Sequence, residues 1–276
     1  MNNNYPLSKG AYVSRQISDV LANRDLKEMD GSMLTLAALN IARSEEMHFS
    51  KPQRKELYIK AIEYASLLHA GQTRMARPGS SRTPYIEHPL RNTIRAYRWG
   101  VRDSDVLSAT VLHDVVEDQI NKITGYSVST TDQSVQQRTL ALGVLAEEFS
   151  PEVSDIVRSV TNPIEQVPKN LSPQERADYK IKCYKDHLIS VLNDPRVFIV
   201  KLADYVDNAG SLDETFDPNK KEKFAKIHAK YVSVLPVFRE AFKYVQPYLG
   251  AEVAINVSRA LLDVDQTLQS VAKKLA

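Results

Sequence analysis

A mostly apolar run at residues 105–112 ends directly in four ionisable residues, His113, Asp114, Glu117 and Asp118. The run predicts a buried helix, and on a continuing helix residues three and four positions apart share a face. Four ionisable side chains on one side of such a helix suit a metal pocket better than an apolar core. An imidazole beside a carboxylate favours a divalent ion such as manganese, iron or zinc. The alternative is a solvated acidic helix end.

Two ligands are too few to hold an ion, so other parts of the chain must supply more. His88 lies at the predicted start of a helix over residues 90–99. Asp204 ends the apolar part of a predicted helix over residues 196–208. A lone buried carboxylate is costly unless it is hydrogen-bonded or bound to a metal. Both residues are therefore candidate ligands.

The composition restricts the class of protein. The chain has 276 residues, of which 43% are hydrophobic and 25% charged, as in an ordinary globular protein, and its net charge of +2 indicates neither nucleic acid nor membrane as a partner. The single cysteine, Cys183, excludes an intrachain disulfide and fits a reducing compartment. The first residues lack the pattern of a secretory signal, and no apolar run reaches the ~20 residues that span a bilayer. We therefore expect a cytoplasmic protein.

Helical spacing of apolar residues, with only nine glycines and few alternating β-branched runs, predicts an all-α fold. The remaining predicted helices are 14–26, 32–47, 52–70, 139–149, 151–160, 173–192, 218–245 and 251–275. The arginine-containing stretch 74–83 and the Ser-, Thr- and Gln-rich stretch 119–137 are predicted to be loops, and the second is a candidate lid. The last helix carries a heptad-like seam from Val257 to Leu275, which predicts packing either on the body or against a second subunit.

Several short motifs occur in one order along the chain: His69-Ala-Gly-Gln-Thr-Arg74, Pro84-Tyr-Ile-Glu-His-Pro89, Leu112-His-Asp-Val-Val-Glu-Asp118, Phe149-Ser-Pro-Glu-Val, Ser159-Val-Thr161 and Lys201-Leu-Ala-Asp204 with Asn208. Together they resemble the hydrolase domain of the RelA/SpoT alarmone enzymes, and more closely the stand-alone small alarmone hydrolases. The resemblance implies an HD-domain helical bundle over residues 51–212. Residues 1–50 and 213–276 would be helical extensions, and no synthetase domain is expected.

The resemblance also implies a reaction and a metal. The reaction is removal of the 3′-pyrophosphate of ppGpp or pppGpp, which leaves GDP or GTP, and the metal is usually manganese. The implied ligands are His88, His113, Asp114 and Asp204. Glu117 and Asp118 match the catalytic acidic pair, which would orient the attacking water and accept its proton.

Five residues are candidates for binding the nucleotide: Arg74, Arg77, Tyr85, Asn208 and Ser211. By the resemblance, Arg74 packs against the guanine base, and Asn208 and Ser211 contact the base or the ribose. The arginines of the 74–83 loop would hold the pyrophosphate, because a guanidinium matches phosphate geometry. The expected partner is a small nucleotide, with no role for nucleic acid.

The chain departs from the family pattern in three places. The loop after Arg74 is longer and has Met75 where a lysine is common, the segment after Asp118 is enlarged, and the usual K-L-A-D-R-L-H-N contains Tyr205 and Asp207 here. The substrate therefore stays open between ppGpp and another nucleotide such as ppApp or NADPH. A further alternative is a nucleotide-sensing protein, or an antitoxin that neutralises an alarmone synthetase.

Overall fold

The computed structural model describes residues 24–44, 52–74, 82–127, 130–164 and 166–276. These residues form twelve α-helices, two short 3-10 helices and one two-stranded ladder, which confirms the predicted all-α fold. The α-helices are α1 Gly31–Ile41, α2 Pro52–Leu68, α3 Glu87–Arg98, α4 Ser104–Leu112, α5 Val115–Asp118, α6 Ile120–Thr124, α7 Thr131–Glu148, α8 Pro151–Val160, α9 Pro173–Val191, α10 Pro195–Gly210, α11 Lys221–Val245 and α12 Ala251–Leu275. The 3-10 helices are Pro218–Lys220 and Gln246–Tyr248. None of the described helices is long and apolar enough to cross a membrane.

Helix α4 lies at the centre of the molecule. It begins at the cap residue Asp103, whose carboxylate accepts hydrogen bonds from the backbone N–H groups of Asp105 and Val106. Every residue of α4 except Asp105 is buried, and the helix packs against α2, α3, α8 and α10. Because a helix that is apolar on all sides belongs in the interior, α4 carries its C-terminal residues into the core.

Helix α10 is the second element that positions the site. Asp194 caps it and Pro195 occupies its first turn, where the missing N–H costs nothing. It packs against α3, α4, α8, α11 and α12, and most of its residues are buried. The contact between α3 and α10 brings the start of α3 next to the polar residues in the second half of α10.

The stretch 74–83, predicted as a loop, begins and ends in an antiparallel pair of two-residue strands. The strands are β1 Thr73–Arg74 and β2 Thr83–Pro84, with Thr73 opposite Pro84 and Arg74 opposite Thr83. Two residues are too few to show the alternation that predicts a strand. Residues 75–81, which include the candidate Arg77, lie outside the described residues.

The predicted loop over 119–137 is wrong, because α6 and the first part of α7 occupy it. The two helices pack on each other through polar side chains. Gln137 is buried, and its Nε2 donates to Asn121 Oδ1 at 3.0 Å, to Thr124 Oγ1 at 2.9 Å and to the backbone oxygen of Tyr126. A helix pair joined through amides and hydroxyls lacks the apolar period by which sequence predicts a helix.

The terminal regions were predicted in part. Helix α1 begins after Asp30, as expected, but ends at Ile41 rather than at residue 47. Most of the predicted helix 14–26 lies outside the described residues. In α12 the seam residues from Val257 to Val271 are buried and Leu275 is partly buried, and the helix packs on α10 and α11 of the same chain. Packing on the body is therefore the alternative that the structure shows for the seam, and a homodimer stays a prediction.

Candidate metal centre

Four side-chain atoms converge beside the C-terminal end of α4. Nε2 of His88 lies 3.0 Å from Oδ1 of Asp204 and 3.7 Å from Oδ2 of Asp114. Nε2 of His113 lies 3.1 Å from Oδ2 of Asp114 and 3.7 Å from Oδ1 of Asp204. Potential ligand atoms of His88, His113 and Asp114 all lie within 4.8 Å of one another. The structure thus brings together all four residues predicted as ligands.

Three helices position these residues. His88 is in the first turn of α3, Asp204 is in the second half of α10, and His113 is the C-terminal cap of α4. The prediction that the α4 helix continues through the acidic residues is wrong, since a turn at His113 and Asp114 separates α4 from α5. This break directs Asp114 towards the two imidazoles.

The outer nitrogen of each imidazole fixes how the ring is protonated. Nδ1 of His88 lies 2.6 Å from Oδ2 of Asp207, and Nδ1 of His113 lies 2.9 Å from the backbone oxygen of Thr110. A carbonyl oxygen only accepts hydrogen bonds, so Nδ1 of His113 carries the proton. The Asp207 carboxylate likewise only accepts hydrogen bonds, so Nδ1 of His88 also carries a proton. With Nδ1 protonated on both rings, Nε2 is the atom that each ring can offer to an ion at the centre, as metal-ligating histidines do.

The arrangement of these atoms fits a bound cation. His113 Nε2 is buried and forms no hydrogen bond. Burial alone would lower the pKa of His113, but the carboxylates of Asp114 and Asp204 outweigh it and raise that pKa well above its usual range. Burial likewise raises the pKa of Asp114 and of Asp204, and the facing imidazoles reverse that effect and lower both. Adjacent ligands of one ion, each about 2.1 Å from it, lie about 3 Å apart or more.

Tyr85 holds one of the candidate ligands. Its hydroxyl donates to Oδ2 of Asp114 at 2.6 Å, and its ring stacks on His69 with centroids 4.7 Å apart. Burial, followed by the charge of Asp114, raises the pKa of the Tyr85 hydroxyl, so it remains a donor. Tyr85 thus contacts a candidate metal ligand, whereas the sequence marked it as a nucleotide-binding candidate.

The two carboxylates of the predicted catalytic pair lie in different environments. Glu117 is partly buried, and its oxygens accept from the backbone N–H of Asn162 at 2.6 Å and from its amide Nδ2 at 3.1 Å. Burial raises the pKa of Glu117 although Lys201 and Asn162 act in the opposite direction. Asp118 is exposed, and its Oδ2 accepts from Gln72 Nε2 at 2.8 Å.

Arg74 and Asn208 connect the metal centre to the surface. Nη2 of Arg74 donates to Oδ1 of Asn208 at 2.5 Å, and Nδ2 of Asn208 donates to Oδ1 of Asp204 at 2.6 Å. The Arg74 guanidinium also lies 5.5 Å from the ring centroid of Tyr85. The hydroxyl of Ser211 donates within α10, to the backbone oxygen of Asp207, at 2.6 Å.

Two cavities adjoin this chain of contacts. One, of about 180 Å³, is lined by the candidate ligands His88, Asp114 and Asp204, and also by Asn162, Tyr184 and Lys230. The other, of about 520 Å³, is lined by Arg82, Ser211 and Phe224 among others. Residues that line both cavities are Arg74, Asn208 and Tyr231. A ligand with a polar head and a larger body could therefore occupy both.

Some residues of the site were missed from the sequence. Tyr184 comes from α9, and Lys230 comes from α11, whose Nζ lies 4.5 Å from the Tyr184 ring centroid. Lys201 is buried and its Nζ donates to Asn162 Oδ1 at 3.2 Å. A lysine inside the otherwise apolar start of α10 was a usable signal, because a buried ammonium needs partners. Nothing in the local sequence distinguishes Tyr184 or Lys230 from neighbouring helix residues.

Comparison with known proteins agrees with this geometry. A family model described as the HD domain matches residues 61–230, which is more than half of the chain. The chain belongs to the HD domain family. The match extends into α11 and so includes Lys230, which the sequence analysis had placed in a C-terminal extension.

Several curated proteins are similar to the chain. Guanosine-3′,5′-bis(diphosphate) 3′-pyrophosphohydrolase of Aquifex aeolicus is 28% identical over 79% of this chain and 28% of its own length. The enzyme of the same name, MESH1, of Drosophila melanogaster is 30% identical over 56% of this chain and 69% of its own length. A probable GTP pyrophosphokinase of Mycobacterium leprae is 30% identical over 60% of this chain and 17% of its own length. The chain thus spans about a quarter of the Aquifex protein and most of the Drosophila one.

Proposed function

We propose that the protein is a metal-dependent hydrolase that removes the 3′-pyrophosphate of (p)ppGpp and releases GDP or GTP. Two imidazole nitrogens converge with two carboxylate oxygens, and each nitrogen lies 3.0–3.7 Å from each oxygen; this geometry carries the proposal. The names of the Aquifex and Drosophila relatives support the substrate. The single cysteine of the chain supports a cytoplasmic location.

The proposed metal ligands are His88, His113, Asp114 and Asp204. Two imidazoles with two carboxylates suit a divalent ion of intermediate hardness, and we propose manganese. Such an ion supplies charge neutralisation at the phosphoryl group and lowers the pKa of water. Tyr85 orients Asp114 through its hydroxyl, and this hydrogen bond keeps the carboxylate aimed at the centre.

Glu117 is the proposed proton acceptor. Its carboxylate is partly buried, and burial raises its pKa, which brings that pKa closer to the range in which a carboxylate accepts a proton effectively. Asn162 fixes the orientation of both carboxylate oxygens, and Lys201 in turn holds the Asn162 side chain. Asp118 lies at the rim, so we assign it a supporting role through Gln72.

The nucleotide would occupy both cavities. The pyrophosphate would enter the smaller cavity, where Lys230 and Arg74 provide positive charge. The nucleoside would occupy the larger cavity, with its base against Arg74. Asn208 and Ser211 would contact the base or the ribose, and Arg77 remains a proposed phosphate contact.

Analysis of products from a panel of nucleotides tests this function. Purified protein loaded with manganese should convert ppGpp to GDP and intact pyrophosphate, and chelation of the metal should stop the reaction. The panel should include pppGpp, ppApp and NADPH, because the altered residues near the pocket leave the base preference open. Inertness towards every 3′-pyrophosphorylated nucleotide, with release of orthophosphate from NADPH, would replace the alarmone assignment with the alternative phosphohydrolase.

A further inference from the structure

Asp207 is a buried carboxylate with an unusually complete set of partners. Its side chain is 1% exposed. Arg91 Nε and Arg95 Nη2 each donate to its Oδ1 at 2.9 Å, and His88 Nδ1 lies 2.6 Å from its Oδ2. Nη1 of Arg74 lies 3.5 Å from the same Oδ2. A carboxylate in the core is tolerated only when it is paired in this way.

The spacing of residues on two facing helices produces this arrangement. Asp204 and Asp207 are three positions apart on α10 and share a face. The face lies against α3, and the imidazole of His88 contacts Asp204 through Nε2 and Asp207 through Nδ1. Arg91 and Arg95 follow His88 on α3 at the spacing that places all three on one side. The ring is thus held between two carboxylates from one helix.

A neighbouring amide gives independent information about the protonation of His88. Nη1 of Arg95 donates to Oδ1 of Asn92 at 2.8 Å, which fixes the orientation of that amide. Nδ2 of Asn92 then faces Nε2 of His88 at 3.4 Å. A side-chain amide nitrogen only donates hydrogen bonds, so this contact favours a lone pair on Nε2, in agreement with a proton on Nδ1.

We propose that Asp207 is a positioning residue for the metal. It fixes the Nδ1–H tautomer of His88, so that Nε2 keeps its lone pair directed at the ion, and through Arg74 it joins the metal centre to the nucleotide cavity. The proposal rests on the metal site of the proposed function. The family motif that the chain resembles usually has histidine at position 207, so the contact between Asp207 and His88 is a feature of this chain and not of the usual motif. Outer partners of metal ligands typically contribute a factor of about 10–100 in metal affinity.

The test compares Asp207→Asn with Arg91→Gln. Both variants disturb the same buried ion-pair cluster, but Arg91→Gln leaves the contact between Asp207 and His88 in place. Manganese affinity is measured by titration with detection of free manganese by electron paramagnetic resonance. We expect Asp207→Asn to weaken binding about 10–100-fold, and Arg91→Gln to change it by less than about threefold at a comparable loss of thermal stability. Equal affinities in wild type and Asp207→Asn, or equal losses in the two variants, would overturn the proposal.

A second measurement does not require the metal. In metal-free protein, at a pH at which the ring is neutral, ¹⁵N nuclear magnetic resonance distinguishes the two tautomers, and the His88 signals are assigned by their loss in His88→Gln. We expect Nδ1–H in wild type and in Arg91→Gln, and a mixture of tautomers in Asp207→Asn. An unchanged tautomer in Asp207→Asn would overturn the proposal. If wild type binds no manganese, the proposed metal-dependent function fails, and the tautomer alone decides the role of Asp207.

Discussion

The two halves of the metal centre are held by different kinds of partner. On the side of α3 and α10, His88 lies between Asp204 and Asp207, and Arg91 and Arg95 neutralise the outer carboxylate. On the side of α4, the partners are neutral. His113 donates to a backbone oxygen, and Asp114 accepts from the Tyr85 hydroxyl.

This difference has energetic consequences. Removing one member of a buried charged network leaves its partners as unpaired charges, which is costly. Removing a neutral hydrogen-bond partner costs less, because the group left behind carries no net charge or can still interact with the ion. Substitutions of the carboxylates that contact His88 on the α3–α10 side should therefore reduce both metal binding and stability. Substitutions on the α4 side should mainly weaken metal binding or slow turnover, with little loss of stability.

The largest expected effect comes from Asp204, one of the two carboxylates that face both imidazoles. Asp204→Ala should abolish metal binding and turnover, because three remaining ligands hold an ion poorly. Wild type gains thermal stability by binding manganese, and Asp204→Ala should lack this gain. Elemental analysis measures occupancy directly. Asp265→Ala, which removes an ion pair with Arg239 near the surface, is the matched control and should keep the metal. Full occupancy in Asp204→Ala would refute the ligand assignment.

The next effect separates the buried carboxylate from the exposed one. Glu117→Gln should keep the metal and lower kcat about 10²–10⁴-fold, since the amide keeps the shape but cannot accept the proton. Asp118→Asn should cost less, because the side chain is exposed and can still accept from Gln72. Metal content and kcat are measured for both variants. An equal or larger loss of kcat in Asp118→Asn would place the proton acceptor at the rim.

The four candidate ligands were named from the sequence partly for a physical reason. His88 was named for its place at a predicted helix start and for the motif around it, and Asp114 for its place beside His113. His113 ends an apolar helix and Asp204 follows the apolar first part of another, and a charged group in such a place requires a partner. The same argument applied to Asp207, but the sequence alone did not show that α3 supplies two arginines opposite it. Such pairing depends on how the helices are placed against each other, which single-chain periodicity does not determine.

The errors in the fold prediction have related causes. The helix predicted to continue past His113 breaks there, because Asp114 turns towards the imidazoles, and that turn is stabilised by tertiary contacts such as the hydroxyl of Tyr85. Helix α6 and the first part of α7 were missed because buried Gln137 joins them through polar contacts. Lys230 enters the site from a helix far along the chain. In each case long-range contacts override local sequence patterns.

A smaller effect tests the neutral partner on the α4 side. Tyr85→Phe removes the hydrogen bond to Asp114 and leaves the ring and its stacking on His69 in place. A hydrogen bond to a charged group contributes about 1.5 kcal/mol, so manganese affinity should fall about tenfold, with little change in stability. Manganese titration and thermal unfolding of the metal-free protein are the measurements. A loss of stability as large as that of Asp207→Asn would show that the two sides do not differ as proposed.

The smallest effect concerns the link from the metal centre to the nucleotide. Arg74 has a hydrogen bond to Asn208 and lies over the ring of Tyr85, so it is positioned before any nucleotide binds. Its proposed contact with the base contributes about 1 kcal/mol, and Arg74→Ala should therefore weaken ppGpp binding about fivefold. Arg74→Lys should recover only part of this, because an ammonium keeps the charge but not the planar stacking surface. Calorimetry in the Glu117→Gln background gives the affinity without consuming the substrate. If the affinity of Arg74→Lys equals that of wild type, charge alone accounts for the role of Arg74, and the base must be recognised by other residues of the larger cavity.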